Sequence, residues 1–476
     1  MVKEYPFIVG GERRTSAEKV EIRNPYDQEA IAVVNYASAQ DVEEAIARAA
    51  SAFETTRQLP SYRRAEVLRR VADELTARKE ELAELITLEA GKPIRDARTE
   101  VARAIQTFTV AAEEAKRLGG ELLPLDWLAG SENRWAVVRR FPIGPILGIT
   151  PFNFPLNLVA HKVAPALASG NPILIKPAPQ TPLSALRLGE IVCEAGWPEG
   201  GLSILPCSND VAGQMLEDER IKKLTFTGSA EVGWMLKARV PKKKVTLELG
   251  GNAAVIVHED ADLDYAAKRC VQGGFVYAGQ TCISVQRIYV HEAVCEPFLE
   301  RVLEGVRNLV VGDPRDERTD VGPMISVAAA ERAESWIREA VQSGAKVLIG
   351  GERSGALLMP TVLTDVTPEM KVSCEEVFAP VVVVSRYREF EEALRQVNAS
   401  RYGLQAGIFT RDVGRIFRAY EVIEVGGLIV NDVPTYRADH MPYGGVKDSG
   451  FGREGVRSAI EEMTEPHVLV LNLSVS

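Results

Sequence analysis

No stretch of the chain reads as a membrane-crossing run. The longest uncharged segment, 141–160, is broken by Pro142, Pro145, Pro151 and Pro155 and by Asn153 and Asn157, so it cannot form a lipid-facing helix. The apolar residues before Gly11-Glu12-Arg13-Arg14 are too few for a signal peptide. Cysteine is scarce and scattered: six in 476 residues, at 193, 207, 270, 282, 295 and 374, with no C-x-x-C and no histidine at ligand spacing. That pattern points away from disulfides and metal, toward free thiols in a reducing cytoplasm. A basic excess is also missing. The balance of 66 acidic against 56 basic residues leaves a net charge of −10, which argues against nucleic acid or an anionic membrane as the main partner. No repeat or low-complexity tract occurs, and 46% of residues are apolar against 26% charged, so disorder is disfavoured.

What is present is a change of rhythm. At roughly 150 residues per domain, the length allows about three units or two large ones. After short apolar runs in the first 40 residues, the spacing predicts a helix capped by Asp41, a second over 63–90 stopped by Gly91, and a third from 96 to 118. From 144 to 251, apolar runs at 145–149, 172–175, 202–205, 223–227 and 245–249 alternate with helical segments at 156–169, 182–195, 210–217 and 229–239. This is the pattern of a parallel sheet covered on both faces. A second alternation follows, with strands near 253–257, 286–290, 346–349, 379–386, 405–409 and 427–430. Two exposed runs around 120–126 and 133–141, and another at 467–473, lie outside this rhythm. Such stray strands often complete another subunit's sheet.

Four elements could carry chemistry. Cys282 follows Gly279-Gln280-Thr281 after a helical stretch, and a break of that kind can seat an exposed thiol beside backbone donors. Glu248, in Glu248-Leu249-Gly250-Gly251, ends the fifth strand of the first sheet, where ligands of such folds sit. Asn153 stands between Pro151 and Pro155 at the end of the first strand, so its amide could be held as an oxyanion donor. Thr227-Gly228-Ser229 leads into a helix N-terminus suited to phosphate. Taken singly, each also fits a plain structural role: a small buried hydrophobe, a solvated carboxylate, a turn, an ordinary helix entry.

Together they resemble the aldehyde dehydrogenase superfamily. The motifs are PFNFP (151–155), IKPA (175–178), FTGS (226–229), ELGG (248–251), GQTC (279–282), EEVFAP (375–380) and PYGGVKDSGFGREG (442–455), in order across most of the chain. The resemblance implies an α/β fold with a Rossmann-like cofactor domain (1–119 and 142–251), an α/β catalytic domain (252–441) and a small β oligomerisation arm (120–141 and 456–476), in a homodimer or homotetramer. It implies that Cys282 adds to an aldehyde, that Asn153 and the Cys282 N–H hold the oxyanion, that a hydride passes to a nicotinamide, and that water activated by Glu248 hydrolyses the thioester. For the cofactor it implies Lys176 on the adenosine ribose, Ser229 on the pyrophosphate, Glu376 on the nicotinamide ribose and Phe378 against the nicotinamide, with Thr150, Pro151, Phe152, Gly213, Gly228 and Leu249 completing the cradle. Ala379 is a departure, since many members carry glycine there; its methyl is expected to tighten the backbone beside the ribose.

Pro179 stands where NAD-strict members often place a glutamate that repels a 2′-phosphate, so NADP is expected alongside NAD. The runs 153–161 and 436–440 are similar to those of the lactaldehyde and non-phosphorylating glyceraldehyde-3-phosphate dehydrogenases. That likeness puts Arg103, His161, Thr281, Ile283 and Arg437 around a polar, cationic substrate tunnel, with a short hydroxy- or acid-bearing aldehyde as partner. The alternatives are salt-bridging roles for Arg103 and Arg437, a relative that passes the acyl group to coenzyme A, and a non-catalytic protein on the same fold. Retention of Glu248 speaks against acyl transfer to coenzyme A, and the joint presence of Cys282, Glu248 and Asn153 speaks against the last.

Overall fold

The computed structural model describes residues 2–473. Its first large sheet has eight strands, ordered 450–451, 244–248, 223–227, 146–149, 173–176, 202–204, 7–9 and 12–14. The five central strands are parallel, and the chain reverses direction of winding between 146–149 and 223–227. That reversal opens a crevice at the carboxyl ends of the strands. Helices Asn157–Ser169, Leu183–Glu194, Asn209–Glu217 and Ala230–Arg239 form the crossovers.

The second large sheet runs 346–349, 361–364, 381–387, 287–291, 254–257, 405–409 and 427–430, parallel except for its first strand. The strand Thr361–Thr364 was not foreseen. It is a short buried run between Pro360 and Asp365 (φ +55°), and reads locally as part of a turn.

The N-terminal helices differ from expectation in three details. Ser38, not Asp41, caps the helix Ala39–Thr56; the Ser38 hydroxyl accepts the Asp41 N–H (3.2 Å) and the Asp41 carboxylate accepts the Ser38 N–H (2.9 Å). The run 63–90 is two helices, Ser61–Ala77 and Lys79–Ala90, broken at Arg78. The last one spans Ile94–Glu114.

The three stray segments are strands of one antiparallel sheet, ordered Thr464–Asn472, Arg134–Pro142 and Gly120–Pro124. Leu122, Trp127, Leu128 and Val468 to Leu471 stand exposed there. The expected arm boundary at 456 is corrected by packing. Helix Val456–Glu462 sends Val456 and Ile460 into the main core beside Leu156, Val159 and Val163, so the sheet begins only at Thr464; residues 474–476 of that segment lie outside the described residues. Among the described residues no helix is long and apolar enough to cross a membrane, and no group of three side chains could hold a metal ion.

Candidate active site

A cavity of about 720 Å³ lies where the two large sheets meet. From the first come Asn153, Gly228, Ser229, Glu248 and Leu249; from the second come Thr281, Cys282, Ile283, Glu376, Phe378 and Arg437. The helix Leu263–Phe275 ends in a turn with Tyr277, Ala278 and Gly279 all in the left-handed region (φ +49°, +51° and +68°). Two non-glycine residues there are costly and persist only where the surroundings hold them. The Tyr277 hydroxyl donates to the Ala90 carbonyl at 2.9 Å. A Cβ on Gly279 would lie 2.1 Å from the Ala379 carbonyl. This turn swings Cys282 onto the cavity wall. Burial pushes its thiol up to about 11, against the pull of the Tyr443 hydroxyl and the Arg437 charge.

Glu248 is 3% exposed, and neither carboxylate oxygen has a protein partner. A Cβ on Gly444 would lie 2.9 Å from its Oε1, so only glycine lets that loop approach. Burial and the nearby Glu454 charge raise the Glu248 pKa well above the usual carboxylate range. Glu454 goes the other way. Lys162 (2.9 Å) and Arg437 (3.4 Å) hold it charged near 2. The two neighbouring carboxylates are thus driven apart, Glu248 toward its protonated form and Glu454 toward its charged one.

Both predicted substrate arginines line the cavity, and both have carboxylate partners. Arg103 forks onto Asp439 (2.8 and 3.3 Å) and Arg437 pairs with Glu454. Arg437 Nε remains buried without a partner. His161 does not reach the cavity wall. It lies behind, with Nε2 2.8 Å from Asp439 Oδ1 and Nδ1 3.5 Å from Arg437. The mouth is less polar than expected, since Phe152, Phe154, Phe378, Tyr277 and Tyr436 share the wall with the arginines.

Asn153 is fixed from both sides. Lys92, fully buried, donates to the Asn153 carbonyl at 2.7 Å and pairs with Glu100. Glu100 in turn accepts the N–H groups of Leu156 (2.9 Å) and Asn157 (3.1 Å). The Asn153 amide donates one N–H to the Gln280 carbonyl (3.0 Å), leaving a second for a ligand oxygen. Glu100→Ala should therefore destabilise the protein by about 3–5 kcal/mol, because it strands a buried ammonium. Thermal melts check this: adding Lys92→Met should recover part of the loss, and a double variant no better than the single would contradict it.

A profile of the aldehyde dehydrogenase family matches residues 12–469. The chain belongs to that family. It is 50% identical over 473 residues to a 3-sulfolactaldehyde dehydrogenase from Priestia megaterium, covering 99% of each chain. Among solved structures it resembles aldehyde dehydrogenase 21 from Physcomitrella patens in complex with the reaction product succinate, with TM-score 0.98, 47% identity and full coverage of both chains. It also resembles a glyceraldehyde-3-phosphate dehydrogenase from Methanocaldococcus jannaschii complexed with NADP, with TM-score 0.92 and 40% identity over 96% of this chain and 99% of that one.

Aldehyde dehydrogenases use a nicotinamide dinucleotide, and the residues present fit one. Lys176 is 5% exposed at a strand end, and its ammonium has no hydrogen-bond or ion-pair partner among the described residues, although burial lowers its pKa. A ribose hydroxyl is the kind of acceptor it lacks. Ser229, on the cavity wall, caps the helix Ala230–Arg239, and the first turn of a helix carries N–H groups free to bind phosphate. Glu376, raised to about 7 by burial, accepts the Gly251 N–H at 3.0 Å, and a Cβ on Gly250 would sit 2.3 Å from its other oxygen. Phe378 (φ +52°) packs edge-on against Phe152, with ring centroids 5.8 Å apart. Thr150, Lys176, Pro179 and Gly213 lie off the cavity wall: Thr150 and Lys176 at the ends of the strands 146–149 and 173–176, Pro179 just beyond the latter, and Gly213 within the helix Asn209–Glu217; Pro179 is exposed and brings no carboxylate. The Ala379 methyl belongs to the second core rather than to the cavity wall, which corrects the expectation of a tightened ribose site.

Tyr443, Glu454, Lys162, Asp439, Lys92 and Glu100 were missed as site residues. Tyr443 and Glu454 sit inside the quoted PYGG motif and could have been read from it. Lys162 and Asp439 had no local signal, because their partners are distant in sequence, and the Lys92–Glu100 pair, though only eight positions apart, gave no sign that it reaches the Asn153 loop.

Proposed function

We propose that this aldehyde dehydrogenase oxidises a short aldehyde bearing an anionic or hydroxyl group, of the sulfolactaldehyde, lactaldehyde or semialdehyde kind. The product is the carboxylate, and NADP and NAD both serve as acceptor. The observation that carries the reading is the convergence of Cys282, Glu248 and Asn153 on one cavity that also holds Arg103 and Arg437. The Cys282 thiolate adds to the carbonyl carbon, and the free Asn153 N–H stabilises the oxyanion. The dinucleotide, when bound, supplies the hydride acceptor. Collapse of the oxyanion leaves a Cys282 thioester. Glu248, with both oxygens unpartnered, takes a proton from water, which attacks the thioester and frees the thiol.

Arg103 and the spare Arg437 Nε supply donors for a sulfonate or carboxylate. The relatives' names point the same way: one acts on a sulfonated hydroxyaldehyde, and another holds succinate. A panel of aldehydes run with both cofactors tests this. Sulfonate- and carboxylate-bearing aldehydes should exceed hexanal and benzaldehyde in kcat/KM. Arg103→Gln should raise KM for the acidic aldehydes by about tenfold, the scale of a lost charged hydrogen bond, and leave neutral ones alone. A preference for hexanal, unchanged in Arg103→Gln, refutes the substrate assignment. A thousandfold preference for NAD would refute dual cofactor use.

A further inference from the structure

The Tyr443 hydroxyl lies 3.3 Å from Cys282 Sγ and is the one side chain bonded to that sulfur among the described residues. It is held there from three directions. The Tyr443 N–H donates to the Glu454 carbonyl (3.0 Å) and its carbonyl accepts the Glu454 N–H (2.7 Å). The Arg437 guanidinium stacks 3.6 Å above its ring, and Arg437 is itself anchored on Glu454. We propose that Tyr443 is a catalytic residue, whose hydroxyl donates a hydrogen bond to the Cys282 thiolate and so sets the population of the nucleophile.

The chemistry follows from the donor inventory. Against a thiol, either atom can donate; against a thiolate, only the hydroxyl can, and the bond becomes charge-assisted. The interaction therefore favours the anion. It is needed because the other charged groups facing the sulfur are divided. Glu248 and Glu376 disfavour the thiolate, as burial does, and Arg437 alone favours it. Once sulfur is bonded to carbon it accepts poorly, so the stabilisation acts on the nucleophile before addition.

The inference rests on Cys282 being the nucleophile, and the experiment separates the two. Full-length wild type and Tyr443→Phe are inactivated with iodoacetamide across a pH series, and the labelled residue is mapped. In the variant the acid limb should move up by about one pH unit, the effect of one hydrogen bond to an ion. The rate at neutral pH should fall only about threefold, since a more basic thiolate is also more nucleophilic. A uniform fall at every pH with an unmoved limb would mean that Tyr443 is structural, and overturns the inference. Inactivation of wild type without label on Cys282 overturns the nucleophile reading and this inference with it. Replacing Tyr443 by a tyrosine fluorinated beside the hydroxyl keeps the ring in place and strengthens the donor. The limb should then move down, and an upward or absent shift counts against the proposal even if the phenylalanine variant misfolds.

Discussion

Cys282→Ala should abolish aldehyde oxidation while dinucleotide binding stays within a few-fold of wild type. Among the described residues no other thiol stands on the cavity wall near Asn153 and Glu248, since the remaining cysteines lie off that wall. Without the thiol no covalent adduct forms, and the loss expected for a nucleophile acting with its base and oxyanion donor is about a millionfold. None of the residues fitted to the dinucleotide hydrogen-bonds the sulfur: Lys176 ends a strand of the first sheet, Ser229 caps a helix, and Glu376 bonds Gly251. Reduced-cofactor absorbance reports turnover, and ligand-induced quenching of tryptophan fluorescence reports binding. Activity within tenfold of wild type would sink the assignment of Cys282; lost binding would mean that the substitution disturbs the fold instead.

The parts of this site legible in sequence are those whose chemistry is local. Strands at 145–149, 223–227 and 245–249 announced themselves as apolar runs, and they appear at 146–149, 223–227 and 244–248. Because ligands bind outside the carboxyl ends of such strands, the positions of Asn153 and Glu248 follow from the strand pattern alone. Their environment could not. That Glu248 is unpartnered and Glu454 clamped depends on Lys162, nearly 300 positions from Glu454, lying against it. The same limit explains Arg103 and Arg437. Their charge suggested a grip on an anion, yet Asp439 and Glu454 share them. A guanidinium has five N–H donors, so a partner uses part of the fork without consuming it. His161 shows the opposite outcome, since its position in the helix Asn157–Ser169 turns it away from the cavity to brace Arg437.

Left-handed backbone at Tyr277, Ala278 and Phe378 left no sequence signal at all, because those residue types do not favour it. It became legible only as packing. Tyr277 is pinned through Ala90, and its ring receives the Lys92 ammonium 4.5 Å from the centroid. The helix before the Lys92 turn, the Asn153 loop and the Cys282 turn are thus one braced unit, joined by hydrogen bonds from Lys92 to Asn153 and from Asn153 to Gln280. A site that must hold nucleophile and oxyanion donor in register gains from such bracing, since small misplacements of reacting groups are costly in rate.

Glu248→Gln should split the reaction in time. Cys282, Tyr443 and Asn153 are untouched, so the first turnover should survive and give a burst of reduced cofactor. Steady turnover should then fall by about 10²- to 10⁴-fold, the range for removal of a general base. Glutamine fills the same space, and no hydrogen bond to protein is lost because neither Glu248 oxygen has one. The pH dependence gives an independent check. Burial and Glu454 raise the Glu248 pKa, so the acid form, which cannot accept a proton, persists further toward neutral pH than in an exposed glutamate. Steady turnover of wild type should therefore rise as pH rises through that elevated value, and the glutamine variant should lack the rise. Rapid-quench measurement of the burst, with mass spectrometry of the acylated Cys282 peptide, decides the matter. If burst and steady state fall together and no thioester accumulates, Glu248 acts before deacylation, and the division of labour between the buried base and its charged neighbour Glu454 is wrong.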